Sequence, residues 1–374
     1  MIFRKARLPM SGFALYLILF AHAGLCADHP KPAREFNASV PDIYGTINAG
    51  PYGIKYLSAN QLAVWFTDNT SGQLSKRDQL QPTDPWRMKV QIFDTASGSV
   101  RNLEWPTRKI SNGIQAQADG TVIVLNGPLV RCLSPDLKEF GTVNLPETAK
   151  HRDERILSAS PGGKAAWVFE SADLIGLTRI DSTACKLTAS LAMASSITSL
   201  SASDDLLVAT DSTHIGIRSL DSTWRALYQP YGCCVGGADF ANQSIVTAYR
   251  QERNLERGET KSSLLFFDLR GKLLAEDSLD KGYEPGPLIS SNGGRFALAA
   301  SLKPESSTEI LKYRLLNAKY RLWLYDLKTL KRFAELDVSR NDAPLFAFGV
   351  SPDGRQIAVL VGSKISIYDI QLPR

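Results

Sequence analysis

The chain ends in a unit of two strands and two tight turns, and this unit is the strongest constraint on the fold. Residues 351–369 read SPDGRQIAVLVGSKISIYD. Asp353-Gly354 supplies a turn, an apolar run from Ile357 forms a strand, and Gly362-Ser363 turns the chain back into a second strand. A single hairpin of this kind cannot bury its apolar face. The chain must therefore contain further copies for this unit to pack against.

The same unit recurs along the chain, each time as a Gly, Asn or Asp turn followed by an apolar strand. Successive turns are separated by 38 to 61 residues, and the shorter intervals fit the roughly 40–50-residue blade of a β-propeller. Helical periodicity is missing, which disfavours α/β folds. We therefore predict an all-β fold, a single seven-bladed β-propeller of four-stranded blades over residues 28–374. The seven turns are Asn60-Gln61, Asp119-Gly120, Gly162-Gly163, Asp204-Asp205, Asn242-Gln243, Asn292-Gly293 and Asp353-Gly354.

The last unit has no outer strand of its own. Residues 35–41 (EFNASVP) have the length and the terminal proline of an outer strand elsewhere in the chain, GTVNLP from Gly141. We expect them to pair with residues 365–370, so that the ring is closed by an N-terminal strand.

The N-terminus predicts export. Arg4, Lys5 and Arg7 precede a short apolar stretch and small residues suited to cleavage, so residues 1–27 read as a secretory signal peptide, with an uncleaved anchor as the alternative. The mature chain would be periplasmic or extracellular, with no membrane span. Removal of these three basic residues and no acidic one lowers the net charge from +5 to +2, which argues against a nucleic-acid partner.

The last unit also resembles a known family. SPDGRQIAVLV followed by ISIYD is similar to a blade of the TolB-like and YVTN-like bacterial propellers, relatives of the WD40-like repeats. The Gly-His and Trp-Asp pairs of WD40 proper are missing, and Tyr325-Asp326 and Tyr368-Asp369 stand where Trp-Asp would. The resemblance implies a propeller that binds polymers or partner proteins, and it carries over no catalytic residue.

Three units carry long inserts between their second and third strands, at residues 67–88, 251–262 and 301–319. In a propeller blade this connection lies on the same rim as the connection to the next blade, so the inserts would flank one face. Their aromatic and arginine side chains can stack on planar groups and bind carboxylates or phosphates. The alternative is a solvated rim, because acidic residues are interspersed. The predicted binding residues are Trp86, Arg87, Arg250, Arg253, Arg257, Tyr313, Arg314 and Tyr320, with Tyr231 and Tyr283 from connections between blades.

Four cysteines remain after signal cleavage, and their spacing leaves the pairing open. Cys233-Cys234 could form a vicinal disulfide, make separate bridges to Cys132 and Cys185, or stay reduced. Cys132 and Cys185 could also pair with each other, between units two and three.

No catalytic or metal-binding motif emerges. The sequence has no nucleophile elbow, P-loop or dinucleotide-binding glycine motif, and its histidines lack metal-ligand spacing. The repeated aromatic-Asp pairs favour a role in capping turns. We therefore expect a non-enzymatic protein without cofactors, a monomer or weak oligomer that binds a protein, peptide or glycan. The alternative is a propeller hydrolase or lyase acting on a glycan or lactone at the channel mouth.

Overall fold

The structure, a computed structural model, consists of β-strands throughout the residues that it describes. These are residues 31–40, 52–69, 86–107, 112–145, 155–160, 163–171, 175–193, 199–211, 214–228, 234–254, 259–279, 283–290, 295–302, 319–339 and 346–371. They contain 28 strands, arranged in four-stranded antiparallel sheets.

Six sheets are each built from four consecutive strands. The first three sheets are β2 (Gly53–Tyr56), β3 (Gln61–Asn69), β4 (Trp86–Asp94) and β5 (Val100–Thr107); β6 (Asn112–Ala116), β7 (Val122–Asn126), β8 (Leu129–Leu133) and β9 (Glu139–Asn144); and β10 (Arg155–Ala159), β11 (Ala165–Ser171), β12 (Ile175–Asp181) and β13 (Lys186–Met193). The next three are β14 (Ser199–Ala202), β15 (Leu206–Thr210), β16 (Ile215–Ser219) and β17 (Arg225–Tyr228); β18 (Cys234–Phe240), β19 (Ile245–Asn254), β20 (Glu259–Asp268) and β21 (Leu273–Ser278); and β22 (Tyr283–Ser290), β23 (Arg295–Leu302), β24 (Lys319–Asp326) and β25 (Lys331–Ser339).

The remaining sheet joins the two ends of the chain. It contains β26 (Phe346–Val350), β27 (Gln356–Val361) and β28 (Lys364–Asp369), with β1 (Arg34–Asn37) paired to β28. Phe36 lies opposite Ile365 in this pairing. The strand begins one residue before the segment expected from the sequence, and it ends at Asn37 rather than at Pro41.

The expectation of a closed, seven-bladed ring is wrong, because the structure shows six blades and does not establish a closed ring among the described residues. Six sheets are blades of four consecutive strands, and the composite sheet of β1, β26, β27 and β28 is assembled from segments at opposite ends of the sequence. The physical reason is that the last repeat ends after its third strand, so its fourth place must be filled from elsewhere. The fold is therefore all-β and propeller-like, with six such blades rather than seven equivalent ones.

The predicted inserts also need a correction, because parts of them are strand. In the first, Thr67, Asp68 and Asn69 pair with Met88, Arg87 and Trp86. In the second, the β19–β20 ladder continues to the pair Asn254 and Glu259. Backbone hydrogen bonding thus extends these hairpins toward their tips. Residues 303–318 of the third insert lie outside the described residues.

Apolar side chains form the core between successive sheets. One cluster joins the second and third sheets through Ile123, Val130, Val168 and Ile180. Another joins the composite sheet to the first through Leu360 and other residues. Each sheet therefore buries both faces, which explains why the second and third strands have continuous apolar runs.

The repeated aspartates cap turns, which confirms their predicted role. Asp94 accepts hydrogen bonds from the amides of Ala96 (3.0 Å) and Ser97 (2.7 Å). Asp268 accepts them from Arg270 (2.8 Å) and Lys272 (2.9 Å). These bonds favour the charged carboxylate and lower the pKa of both groups.

A disulfide joins the second sheet to the third. Cys132 lies in β8, and Cys185 follows β12 at the turn into β13. This bond excludes bridges from either residue to the Cys233-Cys234 pair. Cys233 and the side chain of Cys234 lie outside what the structure describes.

Candidate functional site

The residues predicted to bind a partner lie partly on the ends of long hairpins. Trp86 and Arg87 begin β4, Arg250 and Arg253 lie in β19, Tyr283 begins β22 and Tyr320 is the second residue of β24. The structure describes the backbone, but not the side chains, of Trp86, Arg253, Tyr283 and Tyr320. Four other predicted residues, Tyr231, Arg257, Tyr313 and Arg314, lie outside the described residues.

The two described arginines of this group are engaged within the protein. Arg87 donates to Glu104 at 2.7 Å. Arg250 forms ion pairs with Glu252 at 3.0 Å and Glu276 at 2.8 Å. Arg87 lies in the first sheet and Arg250 in the fifth, and no contact joins these two side chains among the described residues. Nearby acidic side chains neutralise both charges. For these two residues, the structure therefore favours the alternative of a solvated rim.

The β19–β20 ladder extends past the described ends of the strands on either side of it. The described part of β18 begins at Cys234, which lies opposite Gln251. On the outer side, the amide of Leu279, the last described residue after β21, donates to the carbonyl of Ser262 at 2.8 Å. Residues 252–254 and 259–261 thus pair only with each other among the described strands. We call these two segments the β19–β20 arm.

A cavity of about 370 Å³ lies among the first strands of the sheets. Strands β2, β6, β10, β14, β18 and β26, with the turns that follow them, supply nearly all of its lining. These turns and the β19–β20 arm lie at opposite ends of the antiparallel sheets, because one connects strands one and two and the other connects strands two and three. The cavity is therefore on the face away from the arm.

Two opposite charges line this cavity. Lys55 lies in β2 opposite Ala63, and Asp239 lies in β18 opposite Thr247. Each side chain is partly exposed to the cavity and otherwise surrounded by protein. Burial lowers the pKa of Lys55, against the opposing effect of the Asp239 charge. Burial raises the pKa of Asp239 to about 6, although Ser201, Phe240 and Lys55 act in the other direction.

Polar groups around Asp239 and across the cavity are partly satisfied. The hydroxyl of Ser201 donates to the Asp239 carboxylate and accepts the amide of Phe240 at 3.3 Å. Gln117, only 3% exposed, donates its amide to the carbonyl of Ala165 at 3.0 Å. Its buried Oε1 has no hydrogen-bond partner in the described part of the chain.

The sequence reasoning missed these cavity residues because it searched the connections on the other face. A usable signal was present, since Lys55 interrupts the apolar segment GIKYL, Asp239 lies in GGADFA, and Gln115 and Gln117 lie in GIQAQA. A polar residue within a first strand that is otherwise apolar or small points toward the space between the sheets.

Two further features were sought in the described ranges, a group of metal-ligating side chains and a long apolar helix. No group of three or more His, Cys, Asp or Glu side chains there could hold a metal ion. No helix among the same residues is long and apolar enough to cross a membrane. Asp239 is the one carboxylate among the described residues that line the cavity.

Comparison with solved structures shows the fold. A chain of the mitotic checkpoint complex matches with a TM-score of 0.55 and 15% identity, covering 100% of this chain and 99% of the other. The C-terminal WD40 domain of Sif2 matches with a TM-score of 0.51 and 12% identity, covering 92% of this chain and 99% of that domain. Neither a protein-family model nor a curated protein sequence matches. The fold is a β-propeller of the WD40 type, and these similarities extend no further than the fold.

Proposed function

We propose that this protein is an exported, non-enzymatic propeller that binds a protein partner through the face that carries the β19–β20 arm. The single observation that carries the proposal is the arm itself. A two-stranded hairpin without neighbouring strands is only marginally stable in water. A partner that packs against the arm, or adds a strand to one of its edges, would complete the missing sheet.

The arm differs in exposure from the hairpin on which it stands. Ser262 and Ser263 at the base are buried, whereas Lys261 and Glu252 are exposed. Arg250 lies next to the base, and its ion pairs with Glu252 and Glu276 tie the arm to the outer strand β21. The arm therefore presents backbone edges and charged side chains from an anchored position, as a recognition element requires.

Export is the second part of the proposal, and the pattern of basic, apolar and small residues within 1–27 supports it. Residues 1–30 lie outside the described part of the structure. Fractionation of cells that express the full chain with a C-terminal tag tests this part separately. Retention of the full chain in the cytoplasm, at the same level as a variant that lacks residues 2–27, would contradict export.

The arm can be removed with little disturbance of its base. Because Gln251 lies opposite Ser262, replacement of residues 252–261 by Asn-Gly would close the hairpin with a two-residue turn. We expect this variant to retain its melting temperature within a few degrees and to lose the partner. Site-specific photo-crosslinking from position 261 in envelope extracts is the measurement, and the adduct should be identified by mass spectrometry.

The matched control is a crosslinker at Lys138. This residue is also exposed, and it lies between β8 and β9, at the end of the sheets away from the arm. A protein adduct specific to position 261, with the same protein no longer co-purifying with the shortened variant, would support the proposal. The proposal would be contradicted if both positions gave identical adducts. It would also be contradicted if the ligand were a glycan that bound the shortened variant as well as wild type.

A further inference from the structure

We infer that the cavity among the first strands binds a small zwitterion, a molecule that carries one carboxylate and one protonated amine, such as a free amino acid. The site lies on the face away from the β19–β20 arm and shares no residue with it. The inference is therefore independent of the proposed partner surface.

The charges that line the cavity are complementary to such a ligand. Lys55 would receive the ligand carboxylate, and Asp239 would receive its ammonium group. The two side chains influence each other electrostatically, but they form no direct ion pair or hydrogen bond in the structure, which describes both residues. Charges withdrawn from water are costly unless they are paired. A ligand that bridges the two would pair both at once, whereas a simple anion or cation would pair one.

Gln117 also lines the cavity. Its amide donates to the carbonyl of Ala165 at 3.0 Å, which fixes the orientation of the side chain. Its Oε1 is buried, with no hydrogen-bond partner among the described residues and no surface open to the cavity. Gln117 therefore contributes a fixed wall, and Lys55 and Asp239 are the charged groups that meet the ligand.

The neighbouring groups and the volume fit a small molecule. Ser158 lines the same cavity, and Ser201 holds the Asp239 carboxylate through a hydrogen bond. Tyr56 and Phe240 add aromatic surface. A cavity of about 370 Å³ is at the small end of the roughly 300–1,000 Å³ range of ligand sites. The balance of one positive and one negative group favours a ligand without net charge.

Binding is tested with glycine, L-alanine, L-serine, L-glutamate and L-lysine as probes on the whole protein. At pH 7.5 and ~10 mM, we expect at least one of them to raise the melting temperature, as a ligand of the native state must. Calorimetric titration then gives Kd. Lys55→Met and Asp239→Asn should each weaken binding at least ~10-fold, the usual consequence of losing a buried charge contact. Lys138→Met and Asp205→Asn, which change exposed charges elsewhere, should leave Kd unchanged.

The pH dependence of Kd for the wild-type protein is a second test. It requires no variant, so misfolding of a variant cannot affect it. Because the pKa of Asp239 is about 6, binding should weaken about tenfold between pH 7 and pH 5 as the carboxylate is protonated. Of the other titratable side chains described on the lining strands, Lys55 has a lowered pKa, so a fall in pH favours its charged form and would strengthen its contact with the ligand carboxylate. Tyr56 has a raised pKa and stays neutral over this range, and Arg155 is paired with Glu170. None of these groups would weaken binding as the pH falls.

Two further sets of probes complete the binding experiment. One supplies the carboxylate and the amine on separate molecules, and the other is a neutral polyol. Acetate together with methylamine, at the same concentration as the amino acids, should bind far more weakly than the linked zwitterion. The proposal is overturned if none of the amino acids binds. It is also overturned if the folded double variant Lys55→Met/Asp239→Asn binds as well as wild type, or if myo-inositol binds as tightly with no dependence on pH.

Discussion

Asp239 shows how a single residue can couple the stability of this fold to pH. Its carboxyl group is held between the first strands, where burial disfavours the charged form and raises its pKa from 3.8 to about 6. The native state therefore keeps a proton that the unfolded chain has already released between these two values. The contribution of Asp239 to stability is complete below pH 4 and is lost as the pH rises through 6.

The prediction at this scale concerns Asp239→Asn. Asparagine cannot ionise, so the variant escapes the loss that wild type undergoes between pH 4 and pH 6. We expect the free energy of unfolding of the variant, relative to wild type, to rise by up to ~3 kcal/mol between pH 4 and pH 7. Urea denaturation at both pH values measures it.

The control for this experiment is Asp205→Asn, a change at an exposed carboxylate. Its effect at the two pH values shows how much of the change comes from the removal of any carboxylate. A constant difference between Asp239→Asn and wild type across the range would contradict the raised pKa of Asp239.

Residue roles were predictable where they depend on local chain geometry. The turn aspartates were found because a carboxylate two or three residues before an amide caps a turn in any context. Lys55 and Asp239 were not found, because the cavity that they both line brings together residues far apart in the sequence. Which polar residues of different first strands face one another is a property of the assembled sheets.

The hairpins are the elements in which the prediction from the sequence differs most from the structure. The apolar second and third strands were predicted close to their observed positions, since their alternation and turns are local signals. The ends of β3, β4, β19 and β20 are polar and charged, so they resembled loops. Their strand conformation comes from continued pairing across the hairpin, which the residue types alone do not indicate.

At the scale of elements, the disulfide between β8 and the β12–β13 turn should contribute strongly to stability. It closes a chain separation of 53 residues between two sheets. Restricting the unfolded chain over a loop of this length stabilises the fold by about 4 kcal/mol. The variant Cys132→Ala/Cys185→Ala should therefore lose about that amount, measured by urea denaturation.

A second variant, Cys233→Ala/Cys234→Ala, distinguishes the contribution of Cys132–Cys185 from that of Cys233 and Cys234. It should keep the response of wild type to reductant, because the Cys132–Cys185 bond remains. Thiol counting in denaturant would also show whether Cys233 and Cys234 carry free thiols. Loss of the reductant response in this second variant would contradict the assigned bond.

For the whole molecule, the composite sheet links the stability of the two ends of the chain. The β1 segment pairs with β28, and the residues after it enter the core through Ala38 and Val40. The amide of Ser39 also donates to Gln91 of the first blade at 2.6 Å. A short N-terminal segment therefore holds the last three strands against the first blade.

A chain that starts at residue 42 should be less stable than one that starts at residue 31. Both lack the predicted signal, so the comparison isolates the segment that contains β1. Loss of the strand pairing, the buried side chains and the Gln91 contact should cost about 4 kcal/mol. Urea denaturation measures the difference, and equal stability of the two chains would show that β1 contributes nothing to the fold.

The sequence by itself determined the repeating unit, the all-β class and the turn chemistry, because these depend on residues within a few positions of one another. Tertiary structure decided the rest. It set the composite sheet apart from the six consecutive blades, joined Cys132 to Cys185 and brought Lys55 and Asp239 to one cavity. Each of these features depends on how segments far apart in the chain come to lie side by side. The sequence suggested that the N-terminal segment pairs with the last strand, but local patterns could not choose the disulfide or bring Lys55 and Asp239 to one cavity.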